Sequence, residues 1–229
     1  MWRRRLILGL LVLAAALLAL LLAGRGTAHF EDHFSNAALT QARWQFVGGA
    51  GTVAKSGGRP ALRLTGESPK RYAVALADRG RVLQLDTLRM TAWVRVESGL
   101  GGVAFGLQDP ARLTAYRLEV DPEAHAMTLY ERNLDGVQFT IANYRDERLN
   151  PKTWCRVTVA PSADEFIMLV AFGTEQPEEM MRQPQDHQHG GRVSFEQGKV
   201  GLYALGGTTW FREVVVGGTV GKPQEKTAR

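Results

Sequence analysis

The stretch GGVAFGLQDPARLTAYRLEVDPEAHAMTLYE, residues 101–131, reads as three short strands joined by two turns. Val103, Phe105 and Leu107 alternate with small or polar residues, and Gln108-Asp109-Pro110 breaks the run. Tyr116, Leu118 and Val120 alternate with Ala115, Arg117 and Glu119. Asp121-Pro122 breaks the chain again, and Met127-Thr128-Leu129-Tyr130 starts a third run. Successive side chains of a strand point to opposite sides, so alternation between Asp-Pro turns predicts antiparallel strands with one buried face.

The same texture extends outward. Upstream, Phe30, Phe34, Leu39, Trp44 and Phe46 are apolar anchors in a polar surround. Gly48 to Gly51 and Ser56-Gly57-Gly58 read as turns, with strands predicted at 52–54, 61–65, 72–77 and 88–96. No glycine cluster follows the strand, glycine loop and helix pattern of a phosphate cradle. Downstream, Asp135-Gly136 predicts a hairpin to 137–141, and Asn150-Pro151-Lys152 turns the chain into 154–160. Further strands are predicted at 165–172, 193–195, 199–204 and 208–216. Residues 173–192 read as a long polar loop with one helical turn at 178–182. Roughly a dozen short strands without a long amphipathic helix predict an all-β antiparallel sandwich of the jelly-roll kind over residues 29–218, a barrel being the alternative. Residues 219–229 read as a disordered polar tail.

Residues 1–28 read as a targeting segment. Arg3-Arg4-Arg5 precede an apolar run over residues 6–24. As a helix, that run would span about 28 Å at ~1.5 Å per residue, close to the ~30 Å hydrocarbon core of a bilayer. The arginines place the N-terminus in the cytoplasm, so the chain after residue 24 is exported. The run is either a signal peptide cut after Gly26-Thr27-Ala28 or an uncleaved single-pass anchor, its length favouring the anchor. The domain is thus expected outside the cytoplasm, periplasmic or secreted if the leader is cut, and to use no nucleotide cofactor.

The net charge of +5 suggests nucleic acid until the charges are located. The leader arginines and the tail lysines carry all of it, leaving residues 30–218 near neutral and without net attraction for phosphates. The single cysteine, Cys155, shares the phase of Val157 and Val159 and is expected as an inert core thiol.

Strand phase supplies the candidate site residues. Arg89, Thr91, Trp93 and Arg95 share the polar face of their strand. Trp93 is either packed under an arginine as a cation–π pair, or an open platform on which a sugar ring stacks. Arg117 would join Arg89 and Arg95 in one patch if their strands are neighbours, with Glu119 and Tyr130 or Trp210 adding polar and aromatic contacts. Glu119-Val120-Asp121-Pro122-Glu123 has the spacing of paired catalytic carboxylates, Glu119 and Glu123 being the candidates. Pro122 opposes that reading, because it cannot donate to a sheet ladder. Asp186, His187 and His189 form a weak metal candidate, with His33 or His125 as a third histidine. Asp109, Asp121 and Asp135 are weak calcium candidates.

The order of motifs resembles the concanavalin A-like lectin/glucanase jelly roll, in its laminin G-like and 3-keto-disaccharide hydrolase-like branches. The resemblance rests on Glu31-Asp32-His33-Phe34 with Trp44, on Gln108-Asp109-Pro110 with Tyr116 to Val120, on Thr153 to Val159, and on Gly198 to Ala204 with Trp210 to Val216. The long 173–192 segment departs from the short turn usual there. The resemblance implies a jelly-roll sandwich and three functions: a non-catalytic module for glycan or envelope polymer, a glycoside-acting hydrolase, or an adaptor packing on another envelope protein. The first is the leading expectation, with Trp93, Arg89, Arg95, Arg117, Glu119 and Tyr130 as ligand-binding residues and no required cofactor.

Overall fold

The computed structural model describes residues 27–81, 83–84, 87–161, 165–184 and 197–219. Two antiparallel sheets, built from short alternating strands, pack face to face. The first contains, in spatial order, β14 (Glu178–Pro184), β13 (Glu165–Phe172), β12 (Cys155–Pro161), β7 (Arg89–Val96), β16 (Thr208–Thr219), β4 (Arg59–Thr65) and β3 (Ala50–Ser56). β1 (Thr27–Asp32) pairs the second half of β16. The other sheet runs β11 (Gln138–Arg145), β10 (Ala126–Arg132), β9 (Thr114–Asp121), β8 (Leu100–Asp109), β15 (Gln197–Leu205), β5 (Tyr72–Leu76) and β2 (Gln45–Val47). A two-residue strand, β6 (Leu83–Gln84), pairs the start of β15.

The predicted alternation sets the core. Leu62, Leu64, Met90, Val94, Val157 and Phe211 from the first sheet meet Val103, Phe105, Tyr116, Leu118, Leu129 and Leu202 from the second, all essentially fully buried. Each such side chain contributes roughly 1.5–3 kcal/mol by leaving water. Phe105 stacks on Tyr116 at 5.6 Å between ring centroids, and Phe166 of β13 lies 5.0 Å from Tyr116, so the aromatics bridge the two sheets. Residues 101–131 form β8, β9 and β10, three neighbouring strands of the second sheet. Gly101 is required where the layers close: a Cβ there would collide with the Thr209 side chain of β16.

The Asp-Pro breaks are real turns. Asp109 Oδ1 accepts from the Ala111 and Arg112 amides, and Asp121 Oδ1 accepts from those of Glu123 and Ala124. An aspartate that caps its own following backbone favours a turn over a continued ladder. The acidic opening segment has an equally local role. Buried Asp32 accepts from Trp44 Nε1 at 2.8 Å and from the Phe34 amide at 2.7 Å, with Thr40 Oγ1 at 3.5 Å. It thereby fastens α1 (Ala37–Arg43) against Phe30 and Phe34, which pack on Trp44.

The sandwich departs from the sequence reading in several places. β8, β9 and β10, expected to bury one face, are buried on both, and a register shift after Phe105 puts Leu107 not beside Val103 and Phe105 but with Leu76, Ala104 and Tyr203. β1 and β2 form where the sequence reading assigned no strand. α1 replaces unassigned loop; Asn36 caps it by accepting from the Leu39 amide. The helical turn expected at 178–182 is instead the start of β14, an edge strand paired with β13 through a bulge at Met168/Leu169. Glu, Met and Arg favour helices intrinsically, but pairing with β13 and burial of Met181 override that preference. Pro184 ends this edge strand, opposite Glu165.

Cys155 is buried in the core, its thiol pushed up to about 12 by burial and donating weakly to the Val94 carbonyl. The apolar run 6–24, the strand expected at 193–195, the rest of the 173–192 loop beyond Pro184, the histidines His187 and His189 with Asp186, and the tail after Thr219 lie outside the described residues.

Candidate functional site

The outward face of the first sheet carries a checkerboard of arginine and tryptophan. Its origin is a tripeptide pattern, Trp-x-Arg, found at Trp93–Arg95, Trp154–Arg156 and Trp210–Arg212. These fall in or beside β7, β12 and β16, which lie side by side in the order β12-β7-β16. Both members of each Trp-x-Arg share one face, because the strand period is two. Neighbouring strands are antiparallel, so each tryptophan is set opposite an arginine. The register pairs Arg212 with Trp93 and Trp93 with Arg156, giving one Arg-Trp-Arg row. It pairs Arg63 of β4 with Trp210, and Trp210 with Arg95, giving a second row.

The cations lie over the rings. The Arg212 guanidinium is 3.9 Å from the Trp154 ring centroid, and Arg156 lies 5.7 Å from that of Trp93. Arg95 stands between Trp154 and Trp210, 5.4 and 5.5 Å from their centroids, and Arg63 lies 5.7 Å from Trp210. Two of the three indole N–H groups reach a carboxylate: Trp93 Nε1 donates to Glu213 Oε2 at 3.1 Å, and Trp210 Nε1 donates to Glu97. Desolvated cation–π pairs contribute up to ~2 kcal/mol and exposed ones less. The set therefore fixes the rings' orientation more than it adds stability.

Glu213 reaches Trp93 through a backbone irregularity. β16 bulges between Arg212 and Val215, where its second neighbour changes from β4 to β1. Glu213 adopts φ +47° there, a left-handed conformation that costs a non-glycine residue about 1–2 kcal/mol. The bulge turns its carboxylate beside Arg212, onto the indole.

Between these rows and the segment after β13 lies an open groove of about 590 Å³. Trp93 and Trp154 line it with Arg59, Arg156, Arg212 and Glu213, and Gly173 to Gln176 form its wall. Arg148 holds that wall: it donates to Glu175 at 2.8 Å, lies over the Phe172 ring at 4.2 Å, and makes several bonds to Asp146. The Asp146 carboxyl, which also accepts from Tyr144 Oη, is lowered to about 2, chiefly by the Arg148 hydrogen bonds. Arg212 is fastened to the Ser56 carbonyl; burial and the nearby Arg59 and Arg95 lower its pKa from the usual arginine range.

The other sequence candidates lie elsewhere. Arg89 and Arg95 share β7 with Trp93, and Arg89 is exposed. Arg117 is not their neighbour: it belongs to β9 in the opposite sheet, so the three-arginine patch is not formed. Arg117 and Glu119 are buried, 3% and 8% exposed, on the far side of that sheet. There Arg117 Nη2 donates to Gln138 at 2.6 Å, its guanidinium lies 4.9 Å from Tyr130 and 5.7 Å from Tyr72, and its Nε is 3.6 Å from Glu119. Burial raises the Glu119 carboxyl's pKa, opposed by Arg117, and Tyr203 Oη is 3.4 Å from it. Glu123 stands in the turn after β9, so the strand does not present the two glutamates together. Asp109 and Asp121 are committed to separate turns, and Asp135 sits at a third. Among the described residues, no three His, Cys, Asp or Glu side chains converge as metal ligands. His33 pairs with Glu31, and His125 bonds the Leu149 carbonyl.

Sequence reasoning singled out Trp93, Arg95 and Trp210 but not Trp154, Arg156, Arg212, Arg59 or Arg63. The Trp-x-Arg pattern, which recurs three times after the leader, was the available signal.

No family model matches the sequence, and no curated protein does. Solved structures do share the fold. The carbohydrate binding module CBM66 from Bacillus subtilis matches with a TM-score of 0.55 and 15% identity, covering 75% of this chain and 92% of that one. A Bacillus subtilis protein of unknown function with a galectin-like fold matches at 0.59 and 13%, over 86% and 99% of the two chains. Lectin II from Ulex europaeus matches at 0.56 and 13%, over 84% and 98%. The chain has the lectin-like jelly-roll sandwich, as its motifs suggested; identities this low speak to the fold alone.

Proposed function

We propose that this chain is an exported glycan-binding module, and that its binding surface is the Trp-x-Arg face of the first sheet. Residues 6–24 would hold the domain at a membrane or direct its export. The observation that carries the reading is the groove: two half-buried indoles, Trp93 and Trp154, line one open cleft with arginine donors and a carboxylate. Sugar rings present flat C–H faces to aromatic rings and hydroxyls to flanking donors and acceptors, which this combination suits. The cleft volume falls within the ~300–1,000 Å³ of typical ligand sites. That a carbohydrate binding module and a plant lectin share the fold supports the same reading.

Isothermal titration of the full chain in detergent with a panel of oligosaccharides tests it. Saturable binding that Trp93→Ala removes, with the melting temperature kept within a few degrees, is the expected result. No binding across neutral and charged saccharides, or binding unaffected by Trp93→Ala, would sink the proposal.

A further inference from the structure

We propose that the saccharide taken by this groove is anionic, bearing carboxylate, sulfate or phosphate groups. The inference rests on the glycan reading above and goes further by assigning the ligand's charge. The groove is lined by three guanidiniums, Arg59, Arg156 and Arg212, with Arg95 close behind. Of its two carboxylates, Glu175 is paired by Arg148 from outside the lining, whereas Glu213, which accepts the Trp93 indole N–H, keeps its charge near Arg212; the lining cations still outnumber the uncompensated carboxylate three to one. Among the described residues, no direct ion pair joins Arg59, Arg156 or Arg212 to a carboxylate; Glu213 acts on Arg212 only from farther off. Arg212 Nε is buried with no hydrogen-bond partner.

A neutral hydroxyl does not offset that much like charge; an anion accepting from two or more guanidiniums does. The near-neutral charge of residues 30–218 as a whole makes this concentration local rather than a general property of the surface. Two indoles in the lining of one cleft favour a ring-bearing anion over a flexible polyanion without rings.

The test titrates the full chain in detergent with four probes: a neutral galacto-oligosaccharide, oligogalacturonate, a heparin oligosaccharide and poly-glutamate. Single-stranded DNA is a fifth. The expected result is that one acidic saccharide binds at least about tenfold more tightly than the neutral one. Its affinity should fall as salt rises. The oligogalacturonate and heparin arms distinguish a carboxylate from a sulfate ligand. Arg59→Gln, an exposed substitution that leaves the Arg212–Trp154 packing intact, should weaken acidic saccharide binding about tenfold and neutral saccharide binding clearly less, because Gln keeps a donor for a hydroxyl but not the charge.

Equal affinity for neutral and acidic saccharides, both lost in Trp93→Ala, overturns the anionic assignment while leaving the glycan reading standing. Poly-glutamate or DNA binding as tightly as the acidic saccharide also overturns it, the first marking mere charge and the second a nucleic-acid face. Failure of every saccharide removes both proposals together.

Discussion

At the scale of single residues, the candidate face depends on how Trp93 is held. Its indole N–H is fixed by Glu213, and Arg156 lies over its ring, so the two readings offered by the sequence merge. The ring is packed by an arginine and still lines an open groove. Trp93→Phe should keep part of the saccharide affinity, and Trp93→Ala should lose about tenfold or more, both read by titration. Glu213→Gln preserves the acceptor and removes a negative charge, so it should bind a neutral saccharide as the parent does and an acidic one more tightly. Glu213→Gly relieves the left-handed backbone and frees the indole; stability should change by less than ~1 kcal/mol while affinity falls. Asp32 belongs to the fold and not to the site. It is a buried acceptor for Trp44 and the Phe34 amide, so Asp32→Ala should lower the denaturant-derived stability by about 2–4 kcal/mol. A loss below ~1 kcal/mol would show that the opening segment is not fastened there.

At the scale of elements, the groove is made by strand order and by one tethered wall. Each Trp-x-Arg was legible as an alternating strand, and the phase correctly put Trp93 and Arg95 on the face away from the core. Which strands become neighbours was not legible. Trp93 and Arg212 lie more than a hundred residues apart, and nothing local in either strand encodes their pairing. Arg117 illustrates the same limit: its phase pointed outward, but phase names a face and not a sheet. The 178–182 segment failed for another reason, since helix-forming residues were drawn into an edge strand by pairing. The wall gives a pH prediction. The Asp146 carboxyl is held at about 2 against its ordinary 3.8 by its bonds to Arg148. A carboxyl lowered in the folded state stabilises that state above its unfolded pKa. The contribution is lost as pH falls from about 4 toward 2. Glu179, lowered by Arg182, acts in the same direction. The melting temperature should therefore fall less steeply between pH 4 and 2 in Asp146→Asn than in the parent. Parallel curves would remove Asp146 from the account.

At the scale of the whole molecule, the two faces of the sandwich have different characters. The far side of the second sheet buries a charged pair, Arg117 and Glu119, among Tyr72, Tyr130 and Tyr203, whereas the outward side of the first leaves its aromatic and cationic groups along an open groove. The jelly-roll class was legible because alternation and Asp-Pro turns are local; Val103, Phe105, Tyr116, Leu118 and Leu129 fell where their phase put them, whereas Leu107 did not, since the register shift after Phe105 moved it to the other face. The site was only half legible because it is assembled across four strands and the segment after β13, from distant parts of the chain. The most direct test of the central claim is a crystal structure of the chain with a bound oligosaccharide. A sugar ring should lie against Trp93 and Trp154, within hydrogen-bonding reach of Arg59, Arg156 or Arg212. A sugar seated instead beside Arg117, Glu119 and Tyr203 on the opposite sheet, with the Trp-x-Arg groove empty, would contradict it.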